Sequence, residues 1–317
     1  MTLTDRSFRE VSPQSAWMWI ACVTAGLLQA MSMAWPFEGA LKGTASGGLQ
    51  LVSLAVLSWA LIQNGNTKDA FTKGWLFSCA WLTGSTWWLY ISLHTYGGLA
   101  PILSGLAVFM LNAGLAIIYS LASVVFQRVR TSQTGALSTA VAFAAAWTLA
   151  EIVRGTLWTG FPWGAMGYAH IDGVLQHWAP WFGVYGLSFI AALIGMGVAA
   201  SIKLGRIKGL QSWIVLVLIV SGLGWTWFDA PSQSTRMPVQ ARPPLSVTLL
   251  QGNIPQDLKF GEGVGRALRD YRQALLASPS DVTVTPETAL PLTPEQMPER
   301  YWVDIENHFS KGTHAAL

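Results

Sequence analysis

For its first 228 residues the chain alternates long apolar blocks with short polar connections; beyond them the period shortens. Seven blocks reach, or nearly reach, the length a membrane-crossing helix needs: 16–35, 49–62, 74–93, 99–126, 136–153, 181–202 and 213–228. The second and seventh are short. Residues 230–244, rich in Pro, Ser, Gln and Arg, read as an exposed linker. A β-branched run at 245–251 predicts a strand. The stretch 261–277 predicts a helix, with Val264, Ala267, Leu268, Tyr271 and Leu275 at helical spacing. A second strand is expected at 281–285, closed by Pro286. A helix follows from Tyr301 to Ser310, with Trp302, Ile305 and Phe309 on one face, and a further strand at 314–317. Strand, helix, strand in that order predicts a parallel α/β unit. The pattern therefore divides the chain into a transmembrane helical domain at 1–229, a linker at 230–244 and an α/β segment at 245–317.

Composition strengthens the membrane reading. Hydrophobic residues make up 52% and charged residues 11%, against about 25% charged in a soluble domain. Of the 17 tryptophans, Trp17, Trp19, Trp35, Trp75, Trp213, Trp225 and Trp227 fall near block ends, where a bilayer meets water. A net charge of +3 without a Lys/Arg-rich run excludes a nucleic-acid partner. Cys22 and Cys79 lie inside apolar blocks and read as small packing residues rather than a disulfide or metal pair. Arg6 and Arg9, Lys68 and Lys73, Arg128 and Arg130, and Lys203, Arg206 and Lys208 occupy every second connection, while the alternate ones carry only Lys42 and Arg154. With seven spans, the basic connections face the cytoplasm and everything after Phe228 lies outside it. Ser32-Met33-Ala34 loosely fits a signal-peptide cleavage site, but the apolar core is long for one, and six spans would spoil the alternation.

Three segments carry candidate chemistry. Glu151-Ile-Val-Arg154-Gly155 ends the fifth block and is followed by Thr159-Gly-Phe161-Pro-Trp163 and Gly167-Tyr168, an aromatic loop at the membrane surface. Glu151 and Arg154, one helical turn apart, either neutralise each other and anchor the helix end, or form a lipid-headgroup or gating site with Phe161, Trp163 and Tyr168 against acyl chains. Gln251-Gly252-Asn253-Ile254-Pro255-Gln256 leaves the first strand, followed by Lys259 and Phe260. Phe260 is either a loop tip resting on lipid or an ordinary buried aromatic. In Thr285-Pro286-Glu287-Thr288-Ala289, the carboxylate of Glu287 stands just past a parallel strand, where open α/β sheets collect ligands. There it can act as a general base, or it is simply a solvated loop residue.

Together, the E-x-x-R-G…T-G-F-P-W…G-Y loop, the Q-G-N-I-P-Q strand exit and the P-E-T carboxylate resemble the apolipoprotein N-acyltransferases. The resemblance runs from the first block to the last residue. It implies a seven-helix bundle in the bacterial inner membrane, followed by the first part of a nitrilase-like αββα domain on the periplasmic side. It also implies a Glu, Lys, Cys triad in which Glu287 activates the thiol. The cysteine takes an acyl chain from a phospholipid of the phosphatidylethanolamine type, the lysine stabilises the oxyanion, and the amine of a diacylglyceryl apolipoprotein attacks the thioester. Neither cofactor nor metal is implied.

The sequence departs from that family in several ways. Only 30 residues follow Glu287, and the lysine and cysteine of the triad lie further on in the family, as does an eighth helix. Lys311 sits in a Ser-Lys-Gly turn, Thr285 stands where many members have Trp, and Phe260 where some have Trp. The expectation is a chain truncated within its catalytic domain, with an uncovered sheet face and no acyl transfer of its own. The alternatives are a non-catalytic membrane relic and a transporter. The near absence of charges within the blocks argues against a transport path.

Overall fold

The computed structural model describes residues 13–63, 65–131, 135–173, 175–203, 205, 245–255, 258–259, 261–287, 289–310 and 314–316. The chain divides into two compact units, Met1–Ser232 and Gln233–Leu317.

The first unit is helical: α1 (Pro13–Met33), α2 (Gly47–Ile62), α3 (Thr67–Ser85), α4 (Trp88–Ile91), α5 (Pro101–Val129), α6 (Ala136–Thr156) and α7 (Ala179–Lys203). Local signals set the starts. The side chain of Ser46 accepts from Leu49 N–H, that of Asn66 accepts from Asp69 N–H, and Pro101 opens α5, where a missing N–H does no harm. Among the described residues, four helical stretches are long and apolar enough to cross a membrane: Ala16–Met33, Pro101–Val129, Ala136–Thr156 and Gln176–Lys203. At 16 residues α2 is apolar but shorter. Large apolar side chains also point outward, among them Ile102, Leu106, Leu121, Val125 and Leu149. Helices apolar all round are what a lipid surround requires. Inside, Phe77, Trp81, Tyr119, Phe143 and Trp147 form one aromatic core, with ring centroids 5.0 to 6.3 Å apart.

The third block moves relative to its expected place at 74–93: α3 begins at Thr67 and ends at Ser85. Lys68 and Lys73, expected in a connection, are helical. The α3 start is possible because Lys73 is neutralised where it is buried: its ammonium donates to Ala60 O at 2.7 Å and pairs with Asp69 at 2.6 Å. After Thr86 the chain turns into α4 and a π-helical turn, Ser92–Tyr96. The expected block at 213–228 and linker at 230–244 lie outside the described residues.

The second unit holds β1 (Val247–Leu249), α8 (Val264–Ala277), β2 (Val282–Val284), α9 (Glu299–Phe309) and β3 (His314–Ala316). The strands are parallel in the order β1-β2-β3, with Val247 beside Val282 and Val282 beside His314. Helix α8 buries Ala267, Tyr271 and Leu275, each four residues on, and α9 adds Tyr301 and Ile305. Leu275, Met297, Tyr301 and Ile305 form one cluster, and Ala267, Tyr271 and Ala289 another. Tyr301 donates its hydroxyl to Leu268 O at 2.9 Å, and Arg272 pairs with Asp304, tying α9 to α8. Val247 and Leu249 remain 52% and 75% exposed.

Candidate functional site

The loop after α6 is held by a buried polar framework. Glu151 and Arg154, one turn apart near the end of α6, are both buried. One guanidinium nitrogen of Arg154 donates to Phe161 O at 2.5 Å and Trp163 O at 2.7 Å, and Nε donates to the hydroxyl of Tyr119 at 2.8 Å. The same guanidinium lies 5.7 Å from the Trp81 ring centroid, over its face. In return, Phe161 N–H donates to the backbone carbonyl of Arg154 at 2.8 Å, so this residue clasps the loop with both ends. Glu151 accepts from Met166 N–H at 2.6 Å and stands 3.8 Å from the guanidinium. Gly160 closes the turn at φ +74°; a Cβ there would sit 2.1 Å from Gly155 O, which no side chain tolerates.

Two further helices grip the loop's second half. From α2, Gln50 donates to Met166 O at 2.6 Å, which leaves its Oε1 to accept from His170 Nε2 at 2.9 Å. His170 is fully buried, and burial lowers its pKa to about 4. From α7, the Ser188 hydroxyl accepts from Gly167 N–H at 3.0 Å.

Glu151 and Arg154 are thus placed as framework, and the aromatics divide. Trp163 and Tyr168 are 54% and 50% exposed, and Phe161 is partly buried with its ring 5.1 Å from that of Trp163. Trp158, given no role from sequence, is 94% exposed and holds a left-handed φ of 56°. Gln50, Tyr119 and His170 were also missed. They lie far away in sequence, and no local pattern marks them.

In the second unit Glu287 lies just past the C-terminal end of β2, in a turn closed by Ala289 N–H on Pro286 O at 3.1 Å. It borders two clefts. The larger, ≈ 430 Å³, is lined by Thr285, Pro286, Ala289, Leu290, Leu292 and Trp302. The smaller, ≈ 210 Å³, is lined by Gln251, Gly252, Asn253, Ile254, Lys259 and Tyr271. The strand exit and the carboxylate, 36 positions apart in the chain, therefore share one cleft. Lys259 reaches across to donate to Glu287 O at 3.2 Å. Gly252 N–H donates to the Tyr271 hydroxyl at 3.1 Å, and a Cβ on Gly252 would meet that oxygen at 2.6 Å, so any larger residue would displace the tyrosine. Phe260 lies outside the described residues. Both thiols, Cys22 and Cys79, are buried within helices of the first unit.

The helical unit also has counterparts among known proteins. The family model of the apolipoprotein N-acyltransferase N-terminal domain matches residues 25–197, more than half of the chain. The chain belongs to the apolipoprotein N-acyltransferase family. It is 40% identical over 319 residues to the apolipoprotein N-acyltransferase of Verminephrobacter eiseniae, covering 96% of this chain and 58% of that protein. The Ralstonia nicotianae and Pseudomonas putida enzymes of the same name are 37% and 34% identical, over 82% and 89% of this chain and 49% and 57% of theirs. The chain thus spans roughly half to three-fifths of the length of these family members. The family match covers the whole clasped loop, so the framework of Glu151, Arg154, Gln50 and His170 lies in the N-acyltransferase N-terminal domain.

Proposed function

We propose that these residues form the lipid-embedded domain and the first α/β layer of an apolipoprotein N-acyltransferase. In this reading seven helices cross the bacterial inner membrane, the N-terminus is cytoplasmic, and residues 245–317 work at the periplasmic surface as the start of a nitrilase-like domain. Glu287 is the general base. It takes the proton of a cysteine thiol, whose sulfur attacks the ester carbonyl of a phospholipid of the phosphatidylethanolamine type and releases the lysophospholipid. The α-amino group of a diacylglyceryl apolipoprotein then displaces the thiolate and gains the acyl chain. The observation that carries this reading is the placement of Glu287 on a cleft at the C-terminal edge of a parallel sheet, facing the Gln251–Gly252–Asn253 strand exit.

Phe161, Trp163, Tyr168 and Phe260 are proposed to meet acyl chains. Glu151 and Arg154 act one step back by holding the aromatic loop in place. The two thiols of the sequence are buried in helices, so these 317 residues supply the base and the membrane frame but not the nucleophile. The polypeptide alone is therefore expected to show no turnover. A transport role is disfavoured because Glu151 and Arg154 are both buried and bonded to the loop backbone instead of lining a path.

The test is a chimera of residues 1–317 joined to the remaining C-terminal part of the Verminephrobacter eiseniae enzyme, expressed in cells depleted of their own N-acyltransferase. Triacylated lipoprotein should appear by mass spectrometry and vanish in Glu287→Gln. A triacylated product that persists in that variant removes Glu287 from the mechanism. Alkaline phosphatase fused after Asp229 should be active, and an inactive fusion refutes the periplasmic placement.

A further inference from the structure

Three cations from three helices converge on the C-terminus of α2. Lys73 of α3 donates to Ala60 O at 2.7 Å. Arg130, one residue past the end of α5, donates to Ile62 O at 3.0 Å, and Lys203, the last residue of α7, donates to that same oxygen. Alongside, Gln127 donates to Gly65 O at 2.9 Å. Capping explains part of this cluster, because a helix C-terminus leaves carbonyls without partners and carries about half a negative charge. It does not explain all of it. Lys73 is balanced by Asp69, at 2.6 Å, but Arg130 and Lys203 share one carbonyl and pair with no carboxylate among the described residues. The C-termini of α2, α5 and α7 meet here with about half a negative charge each, so the two full positive charges of Arg130 and Lys203 still leave this spot net positive. Arg130 commits only one nitrogen and Lys203 one proton, so several donors remain for a further acceptor.

We propose that Arg130 and Lys203 form a binding site for the phosphate of an anionic phospholipid, at the end of the bundle opposite the clasped loop. The position favours lipid over a soluble anion. Helix α5 has 29 residues, a length of about 43 Å at 1.5 Å per residue, so its ends pass the roughly 30 Å hydrocarbon layer and reach the headgroups. Arg130 stands at such an end. Lys68 and Arg128 lie at the same end of the bundle and add to the field that draws an anionic headgroup in. The site rests on these helices crossing a membrane. It is independent of acyl transfer, so failure of one assignment is distinguishable from failure of the other.

The experiment uses the full chain purified in a neutral detergent and titrated with fluorescent phosphatidylglycerol, with phosphatidylcholine of the same acyl chains as competitor. Phosphatidylglycerol should bind saturably and on the order of tenfold more tightly, and about 0.5 M NaCl should erase most of that preference. The double variant Arg130→Gln/Lys203→Gln should lose the preference, while Arg130→Lys should keep it. Equal affinity for the two lipids, or a preference that high salt leaves intact, overturns the proposal whether or not the variants fold. So does a double variant that retains wild-type helicity and still prefers phosphatidylglycerol. Displacement of the lipid by millimolar inorganic phosphate would assign the site to a free anion and overturn the lipid assignment.

Discussion

The side chains of Gln50 and His170 are hydrogen-bonded at 2.9 Å although 120 residues separate them in the chain. Because Gln50 uses its amide nitrogen on Met166 O, its oxygen must face His170, which fixes the imidazole proton on Nε2. Nδ1 is left buried without a hydrogen-bond partner, close against Gly47. A second proton on this ring would therefore be buried and unmatched.

Stability should fall in acid for this reason. Unfolded, His170 titrates at its ordinary value of 6.5; folded, burial holds it at about 4. Between these values the unfolded chain binds a proton that the folded chain refuses. The contribution is whole above pH 6.5 and is lost as pH falls toward 4, a change on the order of 3 kcal/mol. Thermal unfolding in detergent between pH 7.5 and 4.5 should show the decline, and His170→Gln should flatten it. An unchanged slope in that variant would place the acid sensitivity elsewhere.

Removing Arg154 should be among the most damaging single changes in the first unit. Arg154→Met leaves Glu151 buried beside two carbonyls that have lost their donor, at about 3–5 kcal/mol. Adding Glu151→Gln removes the uncompensated charge, so the double variant should be less harmed than the sum of the singles. Limited proteolysis at 157–165 reads loop release, and unfolding midpoints read the coupling. Strict additivity would mean the two side chains do not act together.

Gly252→Ala drives a methyl group into the Tyr271 hydroxyl, which is itself bonded to Gly252 N–H. A loss of about 1–3 kcal/mol is expected. In the active chimera the variant should lower kcat more than it changes expression, because the strand exit and Glu287 border one cleft. Wild-type kcat would show that the exit does not position the carboxylate.

Trp158→Gly should raise the unfolding midpoint. The left-handed backbone at φ 56° is unfavourable for Trp, and the 94% exposed ring gives almost no internal packing in exchange. Relief of about 1 kcal/mol is expected. The same variant should partition less strongly into vesicles if the ring is retained for lipid contact. Loss of midpoint instead of gain would mean the ring packs in a way its exposure does not reveal.

Much of this was legible in residue order. In the second unit the strands and helices fall within about three residues of where β-branched runs and helical spacing put them, because short amphipathic elements with Pro and Gly at their borders leave few alternatives. Helix α3 was displaced because hydropathy treats Lys68, Asp69 and Lys73 as a polar connection. Nothing local says that Lys73 is satisfied by Ala60 O and Asp69. The loop motif pointed to the right residues, yet which of them hold and which are exposed depended on partners such as Tyr119 and Gln50, brought in from other helices. Lys259 appeared beside the strand exit without a role, and only the sheet brings it to Glu287.

The 16 residues of α2 extend only about 24 Å, less than the oily thickness of a bilayer. The long side chains of Arg130 and Lys203 nevertheless come to its final carbonyl, Ile62 O, from the ends of α5 and α7. Three helices are thereby tied together where α2 stops, and one added turn would carry that carbonyl about 5 Å along the axis and break the tie.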